Sequence, residues 1–149
     1  MIIQLIAAFA GSIGFAILFN MKGKQILFAG IGGALTWLIY LIFHNILEDY
    51  FVSYLIAAVF VAIYAEVMAR VNRAPSTIFL TATAIPLIPG GSLYYTMYGL
   101  VIKDGEMFIT NGQDAIIIAL AIALGFVFVA VVTKYVNKLV FSVDKKKGV

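Results

Sequence analysis

Long uncharged runs separated by short polar ones set the rhythm of this chain. Mostly aliphatic stretches cover Ile2 to Phe19, Ile26 to Phe43, Phe51 to Ala69, Thr77 to Ile102 and Ala115 to Thr133, and nearly every charge falls between them. Four of these runs approach the roughly 20 residues that carry a helix across about 30 Å of hydrocarbon. Lipid gives the backbone no water to bond, so segments that cross it must satisfy their own amide and carbonyl groups, as helices do. The pattern predicts an all-α polytopic bundle of five transmembrane spans, a single membrane domain over residues 1–149 with no soluble domain. A basic tail over 134–149 follows, frayed from Ser142 to Val149. The first run lacks a basic leader and has its small triplet Ala8-Phe9-Ala10 too early for cleavage, so it reads as an uncleaved helix.

The fourth run is longer than the others and is broken inside. Pro86-Leu87-Ile88-Pro89-Gly90-Gly91-Ser92 places two prolines and two glycines in its middle. Proline removes a donor and bars the helical bond, and glycine opens backbone conformations other residues resist. Irregular backbone at that depth is tolerated only under protein or against a polar cavity, and discontinuous helices of this kind set their ends beside solutes in transporters. A break at the centre of span four is therefore expected.

Composition agrees: 64% of residues are hydrophobic and 11% charged, with a mean hydropathy of +1.08. Such values lie outside the range of soluble domains. Charge placement then orients the chain, because basic residues near span ends stay on the cytoplasmic side. Lys22, Lys24, Arg70, Arg73, Lys134, Lys138, Lys145, Lys146 and Lys147 follow the odd-numbered spans, nine of the ten basic residues. Glu48, Asp49, Asp104, Glu106 and Asp114 fall on the alternate side with Lys103. This predicts an N-terminus outside and a C-terminus in the cytoplasm, and a re-entrant hairpin at the break would send the lysine-rich tail to the wrong face. A basic rim against anionic lipid accounts for the net charge of +3 without nucleic acid.

Small residues recur on three faces: Ala7, Ala10, Gly11 and Gly14; Ala29, Gly30, Gly33 and Ala34; and Ala115, Ala119 and Ala123. Helices in lipid associate through such surfaces. Three of them in five spans suggest contact with another chain, a homo-oligomer or a different subunit, beside ordinary internal packing.

With no cysteine, no paired histidines, no nucleophile elbow and no lysine after the glycine pair, nothing suggests an enzyme, a metal or a cofactor. The candidates are transport groups. N–H groups at Gly90, Gly91 and Ser92 open a new helix and could receive a carboxylate, as helix N-termini receive anions. Pro86 and Pro89 would shape that seat, and Thr81, Ser92 and Tyr95 could add hydroxyls; the alternative is a packed kink with helix-internal bonds. Glu66 is the one acid well inside a span, with Arg70 a turn later on the same face. It reads either as a coupling group or as half of a structural pair. His44, at the outer end of span two, reads as interfacial, as do most of the aromatics, Trp37, Tyr40, Tyr50, Tyr54, Tyr94, Tyr95 and Tyr98 among them. Asn20 either caps span one or lines the cavity.

The order Gly11-Ser12-Ile13-Gly14-Phe15, Leu18-Phe19-Asn20, Gly32-Gly33 with Trp37 and Tyr40, Glu66, Arg70, Pro75 and Ile85-Pro86-Leu87-Ile88-Pro89-Gly90-Gly91 resembles the threonine/serine exporter family. The likeness covers roughly Gly11 to Leu124 and is closest to the small-subunit type, relatives of which include a component of a bacterial succinate exporter. It implies one half of a two-part exporter in a bacterial inner membrane, with an obligate large five-span subunit as partner. It also implies a small carboxylated solute, threonine or serine or a dicarboxylate, moved by a gradient. A scaffold subunit that carries no solute itself is the other reading.

Overall fold

A computed structural model describes the backbone of residues 1–147 and the side chains of residues 1–138. Every regular element among them is helical: α1 Ile2–Leu18, α2 Lys24–Leu47, α3 Tyr50–Asn72, α4 Ser76–Ala84 running into a 3-10 turn at Ile85–Leu87, α5 Gly90–Ile102 and α6 Gly105–Lys147. Three helices are long and apolar enough to cross a membrane, at 24–47, 50–72 and 105–138, and the bent pair 76–87 with 90–102 supplies a fourth crossing if it is one span. The expected first span is shorter. Its 17 residues reach only about 26 Å. The fold is thus an apolar helical bundle with three to four candidate spans, and the expected count of five is not established.

The ends of the helices follow their capping chemistry rather than the ends of the apolar runs. Asn20, Glu48, Arg73 and Lys103 hold positive φ of 57, 52, 49 and 59° and close α1, α2, α3 and α5. Asn20 is therefore a turn residue, with the Met21 N–H donating across it to the Ala16 carbonyl at 3.0 Å. At the other ends Asp49 accepts from the Val52 N–H and Asp104 from the Met107 N–H, each at 3.0 Å. The cap at Asp104 starts α6 ten residues before the apolar run at Ala115 begins. The same helix continues to Lys147, where a frayed tail was expected from Ser142; Gly148 and Val149 lie outside the described residues, as do the side chains of Lys145, Lys146 and Lys147.

Antiparallel α1 and α2 meet where the glycines of α2 let backbones close. A side chain at Gly33 would overlap Ser12 and press on the Ala8 carbonyl. The small face predicted on α2 is used in this contact, while on α1 the packed positions are Ala8, Ser12 and Ala16. Ala7, Ala10 and Gly14 remain exposed, because the helix presents the adjacent face to α2. Along α6 the packed positions are Ala115, Ile118, Ala121, Gly125 and Val129, and Ala119 and Ala123 face outward. Here α3 and α6 run parallel, close enough that a Cβ at Gly125 would come within 2.7 Å of Ala58 Cβ and 3.1 Å of the Leu55 carbonyl. Van der Waals contact of this kind replaces the hydrophobic drive inside lipid.

The two halves of the broken helix have different neighbours. α4 lies among α1, α2 and α3, and its Phe79, Ala82 and Thr83 are fully buried. α5 packs antiparallel on α6 and on little else: Gly99 meets the Phe108 backbone, and Thr96 meets Gly112.

Candidate functional site

The break is built by proline at two points. Pro86 has no N–H for the carbonyl one turn earlier, so α4 tightens into the 3-10 turn, where Ile88 N–H donates to the Ile85 carbonyl at 3.2 Å. Gly90 N–H then donates to the Ile88 carbonyl at 2.7 Å, and α5 departs at 58° to the axis of α4. The first free amides of α5 are therefore those of Gly91 and Ser92. No neighbouring atom crowds Gly90 or Gly91, so the start of α5 is open.

Depth separates the residues of the broken block. Leu87 is fully buried and packs with Tyr40, Tyr54, Ala57, Ala58, Val61, Ile118 and Ala121, near the middle of α3. Ser92 instead lines a cavity of about 460 Å³ with Glu48, Asp49, Tyr50, Phe51, Tyr54, Asp114, Ile117 and Ile118. That cavity sits at the end of α3, so the open amides lie at the acidic rim and only the Pro86–Leu87 part lies at depth. Three carboxylates line it. A lone anion at the α5 N-terminus would be drawn by the amides and repelled by Glu48, Asp49 and Asp114, whereas a zwitterion could satisfy both. No group of carboxylates or histidines among the described residues is arranged to hold a metal ion.

A second cavity, of about 270 Å³, lies on the other side of the turn. Gln4, Ala7, Ala8, Gly11, Trp37, Ile85 and Pro86 line it, almost all through apolar atoms. The Trp37 indole N–H is buried without a partner, as are Ser12 Oγ and His44 Nδ1. Unpaired buried donors carry a cost of about 1–3 kcal/mol, so each calls for an explanation.

Between the cavities stands a column of rings. Trp37 lies 4.7 Å from Tyr40, Tyr40 lies 4.4 Å from Tyr54 and stacks on His44 at 5.5 Å, and His44 lies 4.6 Å from Tyr50. Tyr40 and Tyr54, expected among the interfacial aromatics, are instead only 6% and 7% exposed. The signal was present in the spacing 37, 40 and 44 on one face of α2, continued by 50 and 54 at the start of α3.

The remaining candidates are dispersed. Glu66 is half-buried and lines a small cavity of about 60 Å³ with Ala62, Ala65, Ser76, Leu80 and Phe126. Arg70 is exposed and donates to Asn137 Oδ1 on α6 at 3.3 Å, and no ion pair joins it to Glu66 among the described residues. Thr81 is exposed and donates to the Thr77 carbonyl at 2.7 Å. Tyr95 lines neither cavity and is half exposed, with its ring edge-on to Tyr94. Pro89 precedes α5 and accepts from the Leu93 N–H through its carbonyl at 2.9 Å. The structure thus brings together Ser92 with the acidic rim and Pro86 with Trp37, and it leaves Thr81, Tyr95, Glu66 and Arg70 elsewhere.

A family profile described as "Threonine/Serine exporter, ThrE" matches residues 4–132, which includes both cavities and the break. The chain belongs to the threonine/serine exporter family. Membership makes this protein a membrane transporter rather than an enzyme, and it fits the apolar helices of the fold. No curated protein and no solved structure matches the chain. In this exporter-family chain the matched region ends just before Lys134, so the basic end of α6 lies outside it.

Proposed function

We propose that this chain is the small subunit of a two-part secondary exporter in a bacterial inner membrane, acting with a large five-span subunit on small zwitterionic amino acids such as threonine or serine. Its loop charges support an N-terminus outside, with α1 as a fifth, short crossing. The observation that carries the substrate reading is the cavity at the start of α5, where the open end of a helix and the Ser92 side chain share a wall with Glu48, Asp49 and Asp114. A dicarboxylate would meet those three carboxylates with two charges of the same sign, so the amino-acid reading is favoured over the succinate one.

The test uses the cysteine-free background. Ser92→Cys in the membrane-embedded complex should be protected from a thiol reagent by threonine, less by succinate and less by threonine amide. Equal protection by succinate would return the dicarboxylate to first place. Absence of protection by any of the three would favour the scaffold reading.

Coupling is assigned to Glu66, the one acid well inside a span, which lines a small cavity between α3, α4 and α6. Glu66→Gln should lower gradient-driven export by at least about tenfold while assembled protein stays constant, since the amide keeps the shape and cannot ionise. Unchanged export would leave Glu66 a packing residue.

A further inference from the structure

We infer that Leu87, Tyr40 and Tyr54 form the gate between the two cavities, closed in this structure, an assignment that rests on the transport reading above. Three observations converge on it. Trp37, Ile85 and Pro86 line the apolar cavity, while Tyr50, Tyr54 and Ser92 line the acidic one. The chain between Pro86 and Ser92 therefore passes from one cavity to the other, and Leu87 is the residue it leaves fully buried in the partition. Tyr40 is in ring contact with Trp37 on one side and Tyr54 on the other, at 4.7 and 4.4 Å, so it closes the space beside Leu87.

The partition is also placed where movement is easiest. Leu87 is followed by Ile88 and Pro89, which belong to no helix, and the next helix, α5, contacts little besides α6. A small change at Ile88 and Pro89 would withdraw Leu87 without disturbing the buried side of α4. The Tyr40 and Tyr54 rings, 4.4 Å apart, complete the wall beside Leu87 in the closed state.

The experiment reads access across the partition and needs no transport assay. Gly11→Cys puts a single thiol on the apolar cavity at a position with open space for it, and Asp114→Cys, made separately on the wall of the acidic cavity, reports which membrane face that cavity opens to. A membrane-impermeant thiol reagent is applied from that face to the full complex in its membrane. Leu87→Ala should raise the labelling rate at position 11 by about tenfold, as expected when the closed state loses its plug. Val61→Ala, equally buried in the same cluster but outside the stretch from Pro86 to Ser92 that joins the two cavities, should leave the rate unchanged. Should Leu87→Ala fail to accumulate, Tyr54→Leu removes the ring that closes the partition on the acidic side, and about a threefold rise is expected. No rise with either variant, or an equal rise with Val61→Ala, would overturn the gate. A rise in labelling in a complex that exports nothing would uphold the partition and count against the transport reading instead.

Discussion

The two pieces of the broken helix differ more than their sequences suggest. Ser76–Ala84 and Gly90–Ile102 are both uncharged and similarly apolar, yet α4 sits inside the bundle with Phe79 fully buried, while α5 shows Tyr94 at 63% and Val101 at 76% exposure. Their composition cannot tell them apart, because lipid accepts any apolar face that protein does not cover. What separates them is small side chains. α4 carries Ala82, Thr83 and Ala84 where it meets three other helices, and α5 meets little besides α6, through Gly99 and Thr96. Burial inside a membrane is granted by room for the backbone, and hydrophobicity is common to everything.

That contrast can be broken by substitution, and the largest effect should come from the contact that holds the carrier of α5 to the body. Gly125→Leu drives a branched side chain into Ala58 and the α3 backbone, atoms that cannot yield without moving a helix. We expect the folded protein to be lost from detergent extracts, as read by fluorescence-detected size exclusion; recovery at the normal level would mean that α3 and α6 are not packed through Gly125. Next in size is Phe79→Ala. It empties a fully buried ring site in α4 and should cost on the order of 2 kcal/mol or more, seen as a fall in melting temperature. The smallest effect belongs to α5. Tyr94→Ala removes an exposed ring that stacks on Tyr98, and should change stability of the isolated chain by less than about 0.5 kcal/mol. If Tyr94→Ala destabilised as much as Phe79→Ala, the division into a packed half and an outlying half would be wrong.

Much of this architecture was legible in the chain. Runs of apolar residues located the long helices, and the two prolines located the break to within a residue, since a missing N–H at Pro86 leaves the helix no alternative. Helix ends were harder to read. They depend on residues such as Asn20, Glu48, Arg73 and Lys103 accepting a left-handed conformation that glycine usually takes, and nothing in a hydropathy pattern marks that choice. Depth was misjudged for Ser92 because the turn spends three residues in a tighter helix and then bends, so Ser92 reaches the level of Asp49 while Leu87 stays beside Val61. On α1 and α6 alanine and glycine occur on both sides of the helix, and only contact shows which of them the chain packs internally. The ring column is marked only by its spacing, because an aromatic near a membrane surface has an ordinary explanation. The three carboxylates of the acidic cavity come from the end of α2 and from α6, and only the fold brings them to one wall.

The uninterrupted course of α6 gives the molecule a lever. From Gly105 to Lys138 it is one stiff rod of 34 residues, about 51 Å long, and its tight bearing on α3 is at Gly125. The arm toward α5 is the longer one. A tilt about that fulcrum would swing α5 through a wide arc at one end and the lysines at 134 and 138 through a shorter, opposite arc at the other, gearing the two ends of the bundle together through a single piece of backbone.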